Sequence, residues 1–351
     1  MGAPDLDALG GWPVVLRALA EGHDVPAEQA GAAMTEILAG RATDARIAAF
    51  IVALRMKGEA VDEISGMVDA MLAASSPLEL GVDAVDIVGT GGSASRRVRA
   101  LNVSTMACFV VAGAGVPVCK HGNRRASSTS GSFDLLEALG VTIDLDGEGV
   151  ARCVREAGVG FAFARAFHPA MRFAGPVRAE LGIPTVFNVL GPLSHPGGVT
   201  RQVIGVGDER MAPRVAGVLA RRGVARALVV RGRDGLDEIT LTGPTTIHEV
   251  RDGELRSYDI APADVGLPER TPDELGGGDA AANAVLAHRC FAGERGAVRD
   301  IVAVNAAAGL LVGGAVDTLA DGVVLAGEVL DDGRAAAALE RVVALSAHLA
   351  G

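Results

Sequence analysis

From Val82 onward, short runs rich in β-branched residues alternate with stretches of helical periodicity. The runs that predict strands are Val85 to Val88, Val116 to Cys119, Gly160 to Phe163, Val203 to Val206 and Ala227 to Val230. Strands separated by helices pair in parallel, because each crossover helix returns the chain to the same end of the sheet. The pattern therefore predicts an α/β fold with a central, mostly parallel sheet flanked by helices.

The first 80 residues differ, because their apolar residues recur only at helical spacing, as in the stripe Trp12, Val15, Leu19. The segment from about 169 to 198 is helical and Pro-rich again. We expect residues 1–80 plus about 169–198 to form a small all-helical domain. Residues 81–168 plus about 199–351 form the larger α/β domain. The helical part is interpreted as a dimerisation module, with a regulatory domain as the alternative.

Composition excludes several function classes. A net charge of −11 argues against nucleic-acid and anionic-membrane binding, which need many Lys and Arg to neutralise phosphates. Aromatic residues make up only 3%, so base stacking on the surface is not expected. The four cysteines form no C-x-x-C pair, which indicates neither a disulfide framework nor zinc. With no signal peptide or bilayer-length apolar stretch, we expect a cytoplasmic protein.

One stretch opposes the overall acidity. Between Asp86 and Asp134 the chain has no Asp or Glu, although it carries Lys120 and five arginines, namely Arg96, Arg97, Arg99, Arg124 and Arg125. Such a local excess of cationic side chains in an acidic protein indicates a binding site for a small anion.

Three motifs in this stretch follow predicted strands or open a helix. Gly89-Thr90-Gly91-Gly92 follows the first strand, where glycines let backbone N–H groups approach a ligand. Asn102 to Thr105 opens an apolar helix, and Lys120 to Arg124 follows the second strand. A helix terminus contributes roughly 0.3–1 kcal/mol to anion binding, whereas a charge-assisted hydrogen bond contributes about 1.5–3 kcal/mol. Lys120 should therefore contribute more than the helix.

Each motif also has an alternative reading. The glycines are compatible with an ordinary strand-to-helix turn, and they match neither a Walker A loop nor G-x-G-x-x-G. The hydroxyl-rich run Ser127 to Ser132 fits a flexible linker or an anion cradle. Its place before the predicted helix Phe133 to Leu139 favours the cradle.

Two further groups carry candidate chemistry. Asp237-Glu238, at a turn before the predicted strand Ile239 to Leu241, could hold Mg²⁺ or be a solvated turn. His168, Arg172 and Arg178 lie near the start of the helical insertion. An arginine there can bind a carboxylate through two hydrogen bonds, although a surface salt bridge is the alternative.

Taken together, these motifs resemble the anthranilate phosphoribosyltransferase family. The resemblance runs in order along nearly the whole chain. It comprises Asp86 to Gly92, Asn102 to Thr105, Lys120 to Arg124, Ser127 to Gly131, His168 to Met171, Arg178 to Gly182, Asn188 to Leu193, Asp234 to Glu238 and Gly277 to Asn283.

This resemblance implies a homodimer and transfer of a phosphoribosyl group from phosphoribosyl pyrophosphate to anthranilate, with Mg²⁺ and no dedicated catalytic base. The implied contacts to phosphoribosyl pyrophosphate are Gly89, Thr90, Gly91, Gly92, Asn102, Ser104, Thr105, Lys120 and Ser132. The implied anthranilate contacts are Gly89, His121, Asn123, His168 and Arg178. The implied metal ligands are Ser104, Asp237 and Glu238.

The chain departs from the family pattern at Ser93, where an Asp is expected, and in the longer connection Ala94 to Leu101. Arg96, Arg97 and Arg99 either supply charge to the diphosphate or are solvated. Transfer to a different aromatic amine stays open. A nucleoside phosphorylase of related fold is disfavoured by Asp237-Glu238 and by the family match at Asn123 and Arg178. A non-enzymatic nucleic-acid-binding relative is disfavoured by the net charge of −11.

Overall fold

The computed structural model describes residues 5–91, 101–124 and 130–351. Within them, the α-helices are α1 (Gly11–Ala20), α2 (Ala27–Leu38), α3 (Asp44–Lys57), α4 (Val61–Ala73), α5 (Val103–Gly113), α6 (Ser132–Ala138), α7 (Gly147–Arg152), α8 (Ala164–Phe167), α9 (Gly175–Leu181), α10 (Phe187–Leu193), α11 (Ala212–Arg221), α12 (Ala280–Phe291), α13 (Ala297–Gly313), α14 (Leu319–Asp331) and α15 (Arg334–Ala350). None of these described helices is long and apolar enough to span a bilayer.

Seven described strands form one sheet in the order β3-β2-β1-β4-β5-β6-β7. They are β1 (Val85–Gly89), β2 (Val118–Gly122), β3 (Val159–Phe163), β4 (Arg201–Gly205), β5 (Arg226–Gly232), β6 (Thr245–Arg251) and β7 (Glu254–Ile260). The first five pair in parallel, whereas β5, β6 and β7 pair antiparallel. The mostly parallel sheet of the sequence analysis is confirmed, and the carboxyl ends of β1, β2 and β4 meet at one edge.

The predicted strand Ile239 to Leu241 is wrong. Asn305 on α13 accepts the Ile239 N–H at 3.0 Å and donates to the Ile239 carbonyl at 2.9 Å. The Thr240 N–H donates to Thr245 Oγ1 at 3.0 Å. Because side chains occupy these backbone groups, they are not free to form a strand ladder.

The hairpin of β6 and β7 lies outside the five predicted strands. It turns through Asp252 and Gly253, whose φ angles of 51° and 82° are both in the left-handed region. Asp-Gly between alternating residues is the usual sequence of a two-residue hairpin turn, so the signal was present in the sequence.

The helical part begins with α1 to α4. Trp12 and Phe50 meet edge to face with ring centroids 5.9 Å apart, and Thr43 caps α3 by accepting the Arg46 N–H at 3.4 Å. Helix α9 packs on α3 and α10 on α4, so the 169–198 insertion returns to the first four helices. The same apolar cluster continues onto one face of the sheet through residues of α11. The exact domain boundaries stay a prediction.

Candidate active site

Lys120 was predicted to follow the second strand, but it lies in the middle of β2. It is almost fully buried, with 1% of its surface exposed. Its ammonium donates to the Ile87 carbonyl at 2.5 Å and to Ser104 Oγ at 3.3 Å. Burial raises the pKa of the nearby Asp86 to about 7, and the charge of Lys120 opposes that rise. One lysine therefore connects β1, β2 and the first turn of α5.

The amino end of α5 is not capped by the side chain of its N-cap residue. Asn102 occupies the N-cap position, yet its side chain makes no capping hydrogen bond. In the first turn, the hydroxyl of Thr105 is buried and has no hydrogen-bond partner among the described residues. Four N–H groups at a helix start have no intrahelical acceptor, so this end can bind an anion.

The glycine turn and the acidic pair lie against each other. The Gly91 N–H donates to Asp237 Oδ2 at 2.9 Å. A Cβ at Gly89 would lie 2.5 Å from that same oxygen, and a Cβ at Gly205 would lie 1.8 Å from the Asp237 carbonyl oxygen. Asp237 and Glu238 are both buried. The glycines at the ends of β1 and β4 thus make room for the acidic loop.

A cavity of about 710 Å³ opens beside this turn, between the ends of β1 and β2 and the helices α9 and α10. Its wall includes six of the predicted site residues, namely Gly89, Thr90, His121, Asn123, His168 and Arg178. It also contains Arg124, Arg165 and Arg172, and no Asp or Glu belongs to the described wall. The cavity is therefore cationic in an acidic protein.

Three histidines pack together behind and along this wall. The ring of His121 lies 5.1 Å from that of His168 and 5.7 Å from that of His195. Burial lowers the pKa of His121 well below its ordinary value, and lowers the pKa of both His168 and His195 to about 4. Near neutral pH the cluster is uncharged.

His121 Nδ1 lies 3.1 Å from the Gly191 carbonyl oxygen and therefore carries the proton in the neutral ring. The Nε2 atoms of His121 and His168 are buried and have no partner among the described residues. Two uncharged rings thus border the cavity.

Arg178, on α9, lies with its guanidinium carbon 5.0 Å from the ring centroid of Phe187. Burial lowers its pKa from the ordinary value. Neither Arg178 nor Arg165 has an acidic partner among the described residues. A half-buried arginine fork without a carboxylate in the protein is suited to a carboxylate of a ligand.

The predicted site residues that the structure describes thus fall into two groups, the first in the cavity wall and the second outside it. The second group, outside the cavity wall, comprises Gly91, Asn102, Ser104, Thr105, Lys120, Ser132, Asp237 and Glu238. Ser132 Oγ donates to the Asn123 carbonyl at 3.0 Å, so it holds the loop that carries Asn123. No contact joins Ser104 to Asp237 or Glu238 among those described, and its metal role stays a prediction. Gly92, Ser93, Arg96, Arg97, Arg99, Arg125 and Ser127 to Thr129 lie outside the described residues.

Several residues of the site carry no signal that predicts them from the sequence. Met71, Arg165 and Phe187 line the cavity, and Asn305 holds the backbone directly after Glu238. Met71, Phe187 and Arg165 belong to no local motif. In the sequence, an apolar helix residue or a single arginine that lines a cavity cannot be distinguished from one that lies elsewhere. By contrast, Asn305 is marked in the sequence as the polar residue of the otherwise apolar stretch Ile301 to Val312.

Comparison with known proteins identifies the family. The helical bundle domain of the glycosyl transferase family matches residues 13–75, and the a/b domain of that family matches residues 81–336. Anthranilate phosphoribosyltransferase of Arthrobacter sp. (strain FB24) is 50% identical over 341 residues, which cover 95% of this chain and 96% of that protein.

Solved structures support the same family assignment. The crystal structure of anthranilate phosphoribosyltransferase from Thermus thermophilus superposes with a TM-score of 0.89 at 43% identity, covering 95% of this chain and 99% of that one. The Saccharomyces cerevisiae enzyme in complex with PRPP and Mg gives a TM-score of 0.87 at 27% identity, covering 96% and 98%. The chain therefore belongs to the anthranilate phosphoribosyltransferases, within the glycosyl transferase family whose two domains it matches.

Proposed function

We propose that this chain transfers the 5-phosphoribosyl group from phosphoribosyl pyrophosphate to the amino group of anthranilate, releasing pyrophosphate. The observation that carries the proposal is one cavity whose wall runs from the glycine turn at Gly89 and Thr90 to the guanidinium of Arg178, which has no acidic partner in the described part of the chain. Such a cavity offers an anion-binding turn and a carboxylate-binding arginine to two substrates at once. A binding site for phosphate alone would need only the first.

For phosphoribosyl pyrophosphate, the proposed contacts are the turn Gly89 to Gly92, Ser132, and the group around Lys120, which comprises Asn102, Ser104 and Thr105. The ammonium of Lys120 is fixed by two hydrogen bonds, so little reorganisation accompanies phosphate binding. Backbone N–H groups of α5 and of the glycine turn add donors that need no side-chain ordering.

For anthranilate, Arg178 is proposed to bind the carboxylate, and Asn123, His121 and His168 to border the ring. Uncharged histidines suit this reaction, because a positive charge on either ring would repel the positive charge that develops on ribose as the amine attacks. Gly89 lies where the two substrates would meet. Its missing side chain leaves space beside Asp237.

The acidic pair fits Mg²⁺. Asp237 and Glu238 are adjacent, buried carboxylates, which are the hard oxygen ligands that this ion prefers. Ser104 is the proposed third contact. When bound, Mg²⁺ would neutralise charge on the diphosphate and so stabilise the leaving group.

The rest of catalysis is positioning. Breaking the bond from ribose C1 to pyrophosphate builds negative charge on the leaving group and positive charge on the sugar. Lys120 and the backbone donors stabilise the first, while Arg178 holds the amine in line with C1. The arylamine is a free base near neutral pH, so the protein needs no strong general base.

We further infer that the protein is a cytoplasmic homodimer joined through its helical part. Val14 on α1, Met56 on α3 and Ile183 after α9 are exposed apolar side chains of that part. All four cysteines are free and buried, as suits a reducing compartment. Light scattering should give twice the 35.5 kDa of one chain, and a monomer at micromolar concentration would contradict the dimer.

One assay tests the function. Loss of anthranilate fluorescence should require both phosphoribosyl pyrophosphate and Mg²⁺, with one pyrophosphate released per anthranilate consumed. Pyrophosphate release with another arylamine but not with anthranilate would instead show a different acceptor. No release with any amine, from folded protein, would contradict the transferase assignment.

A further inference from the structure

Asn283, on α12, is fully buried although it is polar. Its Nδ2 donates to Asn102 Oδ1 at 2.9 Å, and its Oδ1 accepts the Gly278 N–H at 2.8 Å. The amide thus links the start of a C-terminal helix to the start of α5, 181 residues earlier.

Asn102 is held by a second group as well. Its Oδ1 also accepts the hydroxyl of Ser130 at 3.0 Å, and its Nδ2 donates to the Ser130 carbonyl at 3.3 Å. An asparagine at an N-cap normally accepts an N–H group from the first turn of its own helix. Here both donors to Oδ1 come from other segments, and that capping bond is not made.

The balance of energies accounts for this orientation. A side-chain cap and a single hydrogen bond to Oδ1 are of similar strength, and here two hydrogen bonds compete with one cap. Together the two donors outweigh the cap. Loss of one would bring the two orientations of Asn102 close to equal.

We propose that Asn283 is a positioning residue for the phosphate-binding end of α5. By holding Asn102 away from the helix, it leaves the first-turn N–H groups open to the diphosphate of phosphoribosyl pyrophosphate. The proposal rests on the proposed function, in which this helix end contacts that substrate. Asn283 would act on the substrate through its hydrogen bond to Asn102.

The test is Asn283→Asp, which preserves size and the acceptor for Gly278 but places a carboxylate oxygen opposite Asn102 Oδ1. The KM for phosphoribosyl pyrophosphate should rise about tenfold, the equivalent of one hydrogen bond. The KM for anthranilate should change less than about twofold, because the Arg178 side of the cavity is unaffected. If the aspartate variant folds poorly, Asn283→Ala is the second test. It removes the donor without adding charge, and it should also raise the KM for phosphoribosyl pyrophosphate.

A double-mutant cycle separates positioning from general damage. On an Asn102→Ala background, Asn283→Asp should add no further rise in KM, because the residue acts through Asn102. Ser346→Ala is the matched control: this buried side chain on α15 accepts the Thr142 N–H at 3.0 Å, and neither residue belongs to the cavity wall. It should lower the melting temperature without changing either KM.

Calorimetry with inorganic pyrophosphate and Mg²⁺ distinguishes failure of this inference from failure of the proposed reaction, since it needs no acceptor. Weaker pyrophosphate binding by Asn283→Asp than by the unmodified chain supports positioning even if the acceptor is another amine. Equal binding, or equal effects of Asn283→Asp with and without Asn102, would overturn the inference.

Discussion

The two sides of the candidate site differ in how their polar groups are satisfied. Around Lys120, donors and acceptors of β1, β2, α5 and α12 meet one another inside the protein. Along the cavity wall, Arg178 and Arg165 have no acidic partner among the described residues, and two imidazole nitrogens have no hydrogen bond. The Lys120 side is a closed network of side-chain hydrogen bonds that leaves the Thr105 hydroxyl and the first-turn N–H groups of α5 open, whereas the cavity wall presents side chains to a ligand.

This difference suggests different costs of substitution. A change in the closed network breaks buried hydrogen bonds as well as substrate contacts, so stability and activity should fall together. A change of Arg178 or Arg165 in the cavity wall removes no ion pair that the described residues form, so mainly the binding of one substrate should suffer. Variants of the two sides can therefore be compared directly.

The largest effect is expected for Lys120→Met. Removing a buried, hydrogen-bonded charge costs about 3–5 kcal/mol of folding free energy when its environment is left uncompensated. Loss of charge-assisted contacts should also lower kcat/KM for phosphoribosyl pyrophosphate by about 100-fold. Urea unfolding and initial rates measure the two effects.

Its control is Lys57→Met in the helical part, where a buried ammonium pairs with Glu63 at 3.0 Å. That variant should lose comparable stability with unchanged KM values. If Lys120→Met were stable and kept its kcat/KM, the closed network would have no role in substrate binding.

Arg178→Met should have the next effect, confined to one substrate. Two charge-assisted hydrogen bonds to a carboxylate predict a rise of roughly 10- to 100-fold in the KM for anthranilate. Stability and the KM for phosphoribosyl pyrophosphate should be nearly unchanged. Arg178→Lys should recover little, because an ammonium lacks the planar fork.

Arg172→Met is the matched control, since Arg172 lines the same cavity and, like Arg178, lies over a phenylalanine ring (Phe173, 4.5 Å away), but its side chain is exposed. A larger effect there than at Arg178 would place the carboxylate elsewhere on the wall.

Gly89→Ala tests the contact between the two sides. The added Cβ would lie 2.5 Å from Asp237 Oδ2, so the acidic loop must move. We expect the Mg²⁺ concentration for half-maximal rate to rise severalfold, with about 1–3 kcal/mol of lost stability from overpacking. Gly327→Ala on α14, where the nearest atom would be 3.5 Å away, should be neutral. An unchanged Mg²⁺ requirement would indicate that Asp237 does not bind the metal.

The sequence predicted the closed network better than the cavity. Asn102 and the glycine turn adjoin a helix start and a strand end, so their place along the sheet edge follows from local pattern. The cationic chemistry of Lys120 was also predicted, although Lys120 lies inside β2 and not after it. Cavity residues such as Met71 and Arg165 come from elements distant in sequence, and no local pattern marks them. Their role depends on how α9 and α10 pack against the sheet edge.

The acidic loop shows the same limit in the backbone. Ile239 to Leu241 has the composition of a strand, but Asn305 and Thr245 bind its backbone groups. A tertiary contact from α13 thus overrode the local propensity. The hairpin after it was readable from Asp252-Gly253, where both residues adopt positive φ.

The smallest effect concerns pH and the histidine cluster. His195 donates through Nε2 to the Cys119 carbonyl at 2.9 Å, and burial lowers its pKa to about 4. Between pH 4 and 6.5 the unfolded chain therefore binds a proton at this residue that the native protein does not, so its contribution to stability falls as pH falls. The slope is about 1.4 kcal/mol per pH unit for one proton.

Asp86 contributes the opposite slope, since its pKa is raised to about 7 and the native state holds its proton longer. The measured pH dependence of the unfolding free energy therefore combines opposing contributions. Urea unfolding of His195→Asn between pH 4.5 and 6 should remove the contribution of the one proton that His195 binds. Ser346→Ala should shift the curve equally at every pH. A His195→Asn curve parallel to that of the unmodified chain would mean that His195 is protonated in the native state as readily as in the unfolded one.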